Sequence, residues 1–229
     1  GISWGTSFQG ATAEYKCLPE DGIVAIRPAN MTDEEAATLP VGGLTALHFL
    51  RKGNIQNGQK ILIHGTSGSV GTFAVQIARY CGAQGTGVCS TTNIEMVRSL
   101  GADIVIDYTK EDFIHNGQQY DFIIDNAATR SVFSIKRALN PEGIYTIIGG
   151  PIGRILQFLL LGPAIAKNGQ KMGVLLHKPN LKDVNFIQEQ VANGTIAPVI
   201  DRVYPLNDVP EAFRYFGEGN QNGKVFITV

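Results

Sequence analysis

Lys60-Ile-Leu-Ile-His-Gly-Thr-Ser-Gly-Ser-Val-Gly71 is the stretch that decides the fold of this chain. A short apolar run, Ile61 to Ile63, leads into a glycine-rich turn, and a helical pattern follows at once. The apolar residues of that helical pattern fall on one face: Val70, Phe73, Ala74, Ile77, Ala78 and Cys81. A strand, a glycine turn and a helix in this order bring backbone N–H groups and a helix N-terminus to a place where a phosphate can bind.

The three glycines of the turn, Gly65, Gly68 and Gly71, are each three residues apart. One can serve the tight turn, one the close approach to a pyrophosphate, and one the contact between helix and strand. The spacing is one residue longer than the common dinucleotide pattern, and glycines here can also be turn chemistry alone. The motif therefore needs support from the rest of the chain.

Composition excludes several classes of function. The 229 residues are 44% hydrophobic and 17% charged, which is enough for one large domain or one and a half ordinary ones. The net charge is −1 with no cluster of Lys or Arg, so there is no electrostatic footprint for nucleic acid. The longest apolar run, Ile155–Ala166, is shorter than the about 20 residues of a membrane span.

The cysteines indicate a reducing compartment. Cys17, Cys81 and Cys89 are an odd number and include no C-x-x-C pair, so neither a disulfide framework nor a zinc-ligand spacing is indicated. No secretory signal is visible. We therefore expect a cytoplasmic protein with no metal ligands.

From Lys60 onward, short apolar segments alternate with helical patterns. The predicted strands are Lys60–His64, Gly85–Cys89, Asp103–Asp107, Tyr120–Asp125, Ile144–Ile148 and Met172–Leu176. The helical or loop patterns between them are Val70–Cys81, Asn93–Leu100, Glu111–His115, Ser131–Leu139 and Ile155–Ala166. This alternation predicts an α/β fold, a doubly wound, six-stranded parallel sheet of the Rossmann type with helices on both faces.

The flanking segments follow a different pattern. Gly10–Pro28 has short strand-like pieces, and a helix, Leu181–Asn193, precedes two strands, Pro198–Tyr204 and Lys224–Val229, that flank a helix, Asp208–Phe216. We expect a thin, mostly antiparallel patch, in which residues 1–30 and 180–229 form one domain split by a dinucleotide-binding domain, residues 31–179. The expected apolar face of that patch comprises Trp4, Phe8, Val24, Ile26, Val199 and Val203.

Several motifs together resemble the medium-chain dehydrogenase/reductases, specifically the zinc-free quinone oxidoreductase branch. The matching pieces are Gly10-Ala-Thr-Ala-Glu-Tyr15, Glu35-Ala-Ala-Thr-Leu-Pro40, Gly43-Leu-Thr-Ala46, His64-Gly-Thr-Ser-Gly-Ser-Val-Gly71, Gly101-Ala-Asp103, Val105-Ile-Asp-Tyr108 and Gly223-Lys-Val-Phe226. They keep the family's order and cover nearly the whole chain. The long insert Ile155–Asn180 is similar to that of reticulon-4-interacting-protein-like reductases.

The resemblance implies that the flanking domain is a mostly β, GroES-like substrate domain. The family's first substrate-domain segment precedes Gly10 and is absent from this sequence, so residues 1–30 are expected to be a remnant and the domain incomplete. Zinc alcohol dehydrogenases of the same superfamily carry a metal ligand four residues before the threonine that matches Thr45. Val41 stands at that position and cannot bind zinc, so no metal is expected.

The phosphate-binding end of the expected cofactor site is the glycine turn. The N–H groups of Ser69 and Val70, at the helix entrance, are orphan donors that point toward it. By resemblance Thr45 borders the nicotinamide, although Thr is also an ordinary early-helix residue.

The second predicted strand ends at Ser90-Thr91-Thr92-Asn93, without the Asp or Glu that often holds the ribose of NAD. Small hydroxyl side chains leave space and donors for the 2′-phosphate of NADP, although this stretch can also be only a loop and helix cap. The family often has a basic residue near this loop, whereas Arg98 lies a turn or more further on. By resemblance Tyr108 meets the adenosine 2′-phosphate; the alternative is a strand-end tyrosine with a wet hydroxyl.

The remaining candidates follow the fourth and fifth strands and precede the last one. Asn126 and Gly149-Gly150 lie at carboxyl ends of parallel strands, where open α/β sheets bind ligands. Lys224 matches a basic residue near the cofactor, or serves as a strand-edge lysine for solubility. The full predicted cofactor-binding set is Thr45, Thr66, Ser67, Gly68, Ser69, Val70, Ser90, Thr91, Asn93, Tyr108, Asn126, Ala127, Gly149, Gly150 and Lys224.

The sequence and the resemblance together predict an NADPH-dependent, zinc-free oxidoreductase, with NADH the less favoured cofactor. Its expected substrate is a quinone or an α,β-unsaturated carbonyl, and a homodimer is expected. No residue is assigned as catalytic: His64 more plausibly caps or packs beside the glycine turn, and the hydrolase pattern G-x-S-x-G fails at Ser69. A nicotinamide-nucleotide-binding module or sensor without turnover remains the alternative.

Overall fold

The computed structural model describes residues 15, 17–19, 22–174, 178–219 and 221–229. The α-helices are α1 Asp33–Thr38, α2 Leu44–Lys52, α3 Ser69–Tyr80, α4 Ile94–Ser99, α5 Val132–Ala138, α6 Ile152–Ile165, α7 Leu181–Ala192 and α8 Val209–Gly217. The strands are β1 Lys60–His64, β2 Gln84–Cys89, β3 Ile104–Asp107, β4 Tyr120–Asp125, β5 Leu139–Ile147, β6 Lys171–Val174, β7 Ile200–Pro205 and β8 Lys224–Thr228. Trp4 and Phe8, assigned to an apolar face above, lie outside the described residues.

Six strands form one parallel sheet in the order β3-β2-β1-β4-β5-β6. The predicted doubly wound α/β fold is confirmed, and β1 and β4 have the predicted bounds. β5 begins earlier than predicted, at Leu139, because that residue pairs with Tyr120 across a register shift before the regular ladder starts at Ile144. The predicted helical or loop segment Glu111–His115 contains no helix.

The two faces of the sheet bury separate apolar cores because successive side chains of a strand point to opposite sides. In β1, Ile61 and Ile63 belong to the core under α2, α3 and α7. Leu62 belongs to the other core, with Tyr145 and Phe158, which stack with ring centroids 4.4 Å apart. Both faces of β1 are therefore covered, as a central parallel strand requires.

β7 and β8 form a second, two-stranded sheet, and they are parallel. The expectation of a mostly antiparallel patch is wrong for this pair. Parallel neighbours need a crossover connection rather than a hairpin, and α8 supplies it. The described residues between Tyr15 and Pro28 contain no strand, so the strand-like pieces predicted there are also absent from the part that can be described.

α7 packs on the helices of the six-stranded sheet. Its Val184 and Ile187 are buried in the same core as α2 and α3. Arg51 of α2 pairs with the buried carboxylate of Asp183 and stacks on Phe186, its guanidinium carbon 4.7 Å from the ring centroid. The helix is thus held by both apolar packing and an ion pair.

α6 is apolar on both sides. Phe158 and Gly162 face the interior, and a side chain on Gly162 would collide with the backbone of Met172 in β6. The opposite face presents a leucine stripe, defined as Ile152, Leu156, Leu159 and Leu160, whose exposed fractions range from 49% to 76%. Within the described ranges, no helix combines the length and apolar character needed to cross a bilayer.

Candidate functional site

The three glycines of the first turn have three different structural roles. Gly65 has φ +80°, a left-handed conformation that favours glycine and reverses the chain after β1. A Cβ on Gly71 would lie 2.6 Å from Thr66 Cα, so α3 can approach β1 only if this residue has no side chain. A Cβ on Gly68 would meet only Gly65 O, at 3.6 Å, and the φ of Gly68 is −80°. Gly68 therefore has an unstrained backbone, and the space beside it is open.

The start of α3 carries an unsatisfied polar atom. Ser69 Oγ is buried and has no hydrogen-bond partner among the described residues. Gly42 packs against it, since a Cβ there would lie 2.8 Å from the Oγ. Val70 follows in the first helical turn, whose free N–H groups face an anion favourably. Thr45, three residues after Gly42, lies in the first turn of α2 and is 6% exposed.

Thr66 and Ser67 contribute to the turn in different ways. The Thr66 hydroxyl is fully buried; it donates to Ile63 O at 2.6 Å and accepts from Val88 N–H at 2.9 Å. Its side chain thus holds β1 to β2, and its main-chain N–H is also occupied, since it donates to Val88 O at 3.1 Å. The carbonyl of Ser67 accepts the N–H of Gly223 at 2.7 Å.

That last hydrogen bond brings the start of β8 to the phosphate turn. Gly68 and Gly223 form a parallel bridge, and Lys224 follows directly. Burial lowers the pKa of Lys224 below its usual range because desolvation disfavours the ammonium ion. The structure thus places a half-buried lysine next in sequence to the Gly223 bridge at the glycine turn, where an anion would favour its ammonium form.

The second end of the site is formed by the loops after β2 and β3. Ser90 Oγ lies 3.1 Å from Thr92 Oγ1 and accepts from Asn93 at 3.2 Å. Thr91 donates to the Asp107 carboxylate at 2.5 Å. Tyr108 follows Asp107, and its side chain is 55% exposed. The predicted residues of this end do come together, on the free surface at the edge of the sheet.

Asp107 is the organising group there, and the sequence analysis did not select it. Hydrogen bonds from the hydroxyls of Thr91 and Thr109, with the Thr109 N–H and Lys110, lower the pKa of Asp107 from its ordinary 3.8 to about 2. The carboxylate therefore stays ionised. Its sequence signals were its position at the end of a predicted strand and its place in the matching piece Val105-Ile-Asp-Tyr108.

The third part of the site is formed by the turns that follow β4 and β5. The main-chain N–H and the side-chain amide of Asn126 both donate to His64 O at 3.1 Å, while Asn126 Oδ1 is buried with no partner in the described part of the chain. Ala127 continues this turn. A Cβ on Gly149 would meet Asn126 O at 3.4 Å, and one on Gly150 would lie 2.5 Å from the Ala128 Cβ. These glycines let the two strand ends approach closely.

A buried hydrogen-bond network supports this turn. Asp125 is fully buried; it accepts from His64 Nδ1 at 2.9 Å, from the Tyr145 hydroxyl at 3.0 Å and from the N–H groups of Ala127 and Ala128. Burial raises the pKa of Asp125, but the hydrogen bond and charge of His64 and the two N–H donors outweigh it and leave the pKa lowered. The His64 ring is thereby committed to positioning the turn.

The residues present fit a nicotinamide dinucleotide. Two buried atoms without partners, Ser69 Oγ and Asn126 Oδ1, lie at the glycine turn and at the β4 turn. Such atoms are costly to leave unpaired, and a bound polar ligand would satisfy them. Gly68 leaves the path to the α3 N-terminus open, and the hydroxyls after β2 can meet the adenosine end. No group of three or more His, Cys, Asp or Glu residues within the described ranges is arranged to hold a metal ion.

Comparisons with known proteins agree with this geometry. A family sequence profile described as zinc-binding dehydrogenase matches residues 100–227, more than half of the chain. The chain is 32% identical to the mouse protein NAD(P)H oxidoreductase RTN4IP1, mitochondrial, an alignment that covers 96% of this chain and 62% of the relative. It is 30% identical to the Arabidopsis thaliana chloroplast envelope quinone oxidoreductase homolog, over 95% of this chain and 68% of that protein.

A solved structure of the quinone oxidoreductase from Coxiella burnetii superposes with a TM-score of 0.80 at 24% identity, covering 89% of this chain and 63% of that one. At this identity the likeness shows the shared fold. The chain spans less than two thirds of the length of the mouse relative. Strand order, glycine turn and these similarities together show that the chain belongs to the medium-chain dehydrogenase/reductase superfamily.

Proposed function

We propose that the protein containing this chain is an NADPH-dependent, zinc-independent reductase that delivers hydride to a quinone or to the β-carbon of an α,β-unsaturated carbonyl. One observation carries the proposal: two buried polar atoms without partners, Ser69 Oγ and Asn126 Oδ1, flank an open glycine turn at the carboxyl edge of the sheet. That edge is where open α/β sheets bind dinucleotides.

In this proposal a different set of residues binds each of three parts of the cofactor: the pyrophosphate, the adenosine end and the nicotinamide end. The pyrophosphate would lie at Gly68 and the first turn of α3, with Thr66 holding the turn in place, Ser67 contributing main chain and Lys224 a positive charge. The adenosine end would lie at the loops after β2 and β3. The nicotinamide end would lie at Thr45 and at the turns after β4 and β5. The residues proposed for these last two ends are Ser90, Thr91, Asn93, Tyr108, Asn126, Ala127, Gly149 and Gly150.

Preference for NADPH over NADH is supported by the end of β2. No Asp or Glu stands in the stretch from Ser90 to Asn93, so no carboxylate there would repel a 2′-phosphate. The hydroxyls of Ser90 and Thr92 lie together and are available to a phosphate oxygen.

A bound nicotinamide supplies the hydride, and the protein aligns the acceptor and excludes water. The Arabidopsis relative is named for quinone oxidoreduction. An enone offers the same conjugated, electrophilic carbon, and in both cases negative charge develops on the acceptor oxygen. We assign no residue of this chain as the donor to that oxygen.

Zinc independence is supported by residue chemistry. Val41 stands where the resemblance places a zinc ligand, and its apolar side chain cannot coordinate a metal. The proposal therefore distinguishes this chain from the metal-dependent members implied by the name of the matching family.

We also propose a homodimer, a cytoplasmic location and the three-part domain division given above. Strand β6 forms one edge of the six-stranded sheet, and α6, which packs on β6, presents the leucine stripe on its outer face. A free strand edge and an apolar patch both favour association, and a second copy could cover them.

The proposed cytoplasmic location is supported by the cysteines. Cys17, Cys81 and Cys89 are all free thiols, as a reducing compartment favours.

The rival is a nucleotide-binding module or sensor without turnover, since both proposals need the same glycine turn. Calorimetric titration of the full-length protein with NADPH and with NADH tests the proposed cofactor. Tighter binding of NADPH is expected, whereas equal affinity or tighter NADH binding would contradict the preference. NADPH oxidation against a panel of quinones and enones then separates the reductase from the module.

A further inference from the structure

The loops after β2 and β3 contain a cation that the sequence pattern did not select. Lys110 Nζ lies 3.4 Å from Asp107 Oδ2, the carboxylate that also accepts the Thr91 hydroxyl at 2.5 Å. The Lys110 side chain is 68% exposed, and the pair is therefore weak and easily exchanged for another anion. An exposed ammonium thus lies beside the proposed adenosine end.

Asp107 cannot act in place of the missing acid of β2. A carboxylate offers about four acceptor positions. Oδ1 accepts the N–H and hydroxyl of Thr109, at 3.0 and 2.7 Å, while Oδ2 accepts Thr91 and faces Lys110. Even when Lys110 turns away, only one acceptor position is freed, which is too few for the two hydroxyls of an NAD ribose, so this carboxylate is poorly suited to select NADH.

We propose that Lys110 is the residue that selects NADPH, by pairing with the adenosine 2′-phosphate. This inference rests on the proposed function. Lys110 would turn from Asp107 toward the phosphate, and the Ser90 and Thr92 hydroxyls and Tyr108 would supply hydrogen bonds. Asp107 retains three hydrogen bonds from Thr91 and Thr109, so it remains satisfied when the lysine leaves.

Arg98 is the competing cation. It already pairs with Glu95 at 2.9 Å within α4, and both side chains are exposed. Each cation pairs with a carboxylate three residues before it, so pairing does not separate them, but the Lys110 ammonium contacts the carboxylate that also holds Thr91 after β2. The geometry therefore favours Lys110 over Arg98.

The test compares Lys110→Met with Arg98→Met and Lys182→Met in the full-length protein. Lys182 is an equally exposed lysine on α7 and serves as the matched control. Calorimetry measures the affinity of each variant for NADPH, NADH, 2′,5′-ADP and 5′-AMP. Lys110→Met should weaken NADPH and 2′,5′-ADP by about tenfold or more, the loss of one charge-assisted contact, and leave NADH and 5′-AMP unchanged.

Three results would overturn the inference. They are an unchanged NADPH affinity in Lys110→Met, an equal loss for NADPH and NADH, or a selective NADPH loss in Arg98→Met in place of Lys110→Met. If the wild-type protein bound neither coenzyme, the proposed function itself would be contradicted. That outcome is distinct from one in which both coenzymes bind and Lys110 has no effect.

Discussion

Substitutions at Gly68 and Gly71 should have different effects: the first should weaken cofactor binding, and the second should destabilise the fold. A valine at Gly68 finds φ −80° and only Gly65 O within 4 Å, so its backbone is unstrained. Losing glycine as the N-cap residue destabilises the folded protein, whereas the lower entropy of the unfolded chain stabilises it. Each effect is under about 1 kcal/mol, so the two nearly cancel. Its β-branched side chain would, however, project toward the N-terminus of α3. Losing two charge-assisted hydrogen bonds of about 1.5 kcal/mol each weakens NADPH by about 100-fold.

Gly71→Ala should have the opposite effect. The added methyl would lie 2.6 Å from Thr66 Cα and 2.7 Å from Thr66 O, both backbone atoms of the turn. Overpacking usually costs about 1–3 kcal/mol, and because backbone cannot move aside as a side chain can, we expect about 3 kcal/mol here.

Urea unfolding and calorimetric titration with NADPH measure the two effects. Gly217→Val is the matched control, since this exposed glycine of α8 has no positive φ and a side chain there meets nothing within 4 Å. It should change neither quantity. A stable Gly68→Val protein with wild-type NADPH affinity would show that the loop is only a turn. A Gly71→Ala protein as stable as wild type would refute the proposed close packing.

Three other predictions concern stability and assembly. Asp125→Asn should lower the free energy of unfolding by about 3 kcal/mol because it replaces a fully buried carboxylate that accepts four hydrogen bonds. Tyr145→Phe removes one of those bonds and should cost about 1 kcal/mol; equal losses in urea unfolding would contradict this order. Asp107, whose pKa is depressed to about 2, contributes stability that is present above about pH 3.8 and is lost as the pH falls toward 2. Asp107→Asn should reduce the pH dependence of the unfolding free energy across that window. An unfolding free energy that depends on pH as in the wild type would disprove this role. Leu160→Glu, in the leucine stripe, should convert the proposed homodimer to monomers in sedimentation velocity, whereas an unaffected dimer would place the interface elsewhere.

The sequence predicted the sheet well because its information is local. Ile61 to Ile63 form a fully buried run, and the glycine turn after them fixes the strand-to-helix order. The separate roles of Gly65, Gly68 and Gly71 were not predictable one by one, because they depend on φ and on the distance between helix and strand. These are tertiary quantities that spacing does not contain.

The less predictable features depend on contacts between distant residues. His64 and Asp125 are 61 positions apart, and Tyr145 reaches Asp125 from the next strand. Pattern alone could not show that network. The parallel pairing of β7 and β8, by contrast, was already implied by the predicted strand–helix–strand order, because a helix between two strands supplies a crossover.

The most direct test of the account is the oxidation of NADPH by the full-length protein against quinones and enones, with the metal content of the same sample measured after purification without chelator. The account predicts acceptor-dependent oxidation in protein that contains no stoichiometric zinc, since Val41 cannot serve as a ligand. Tight NADPH binding with no turnover on any acceptor, or turnover that requires stoichiometric zinc, would contradict it.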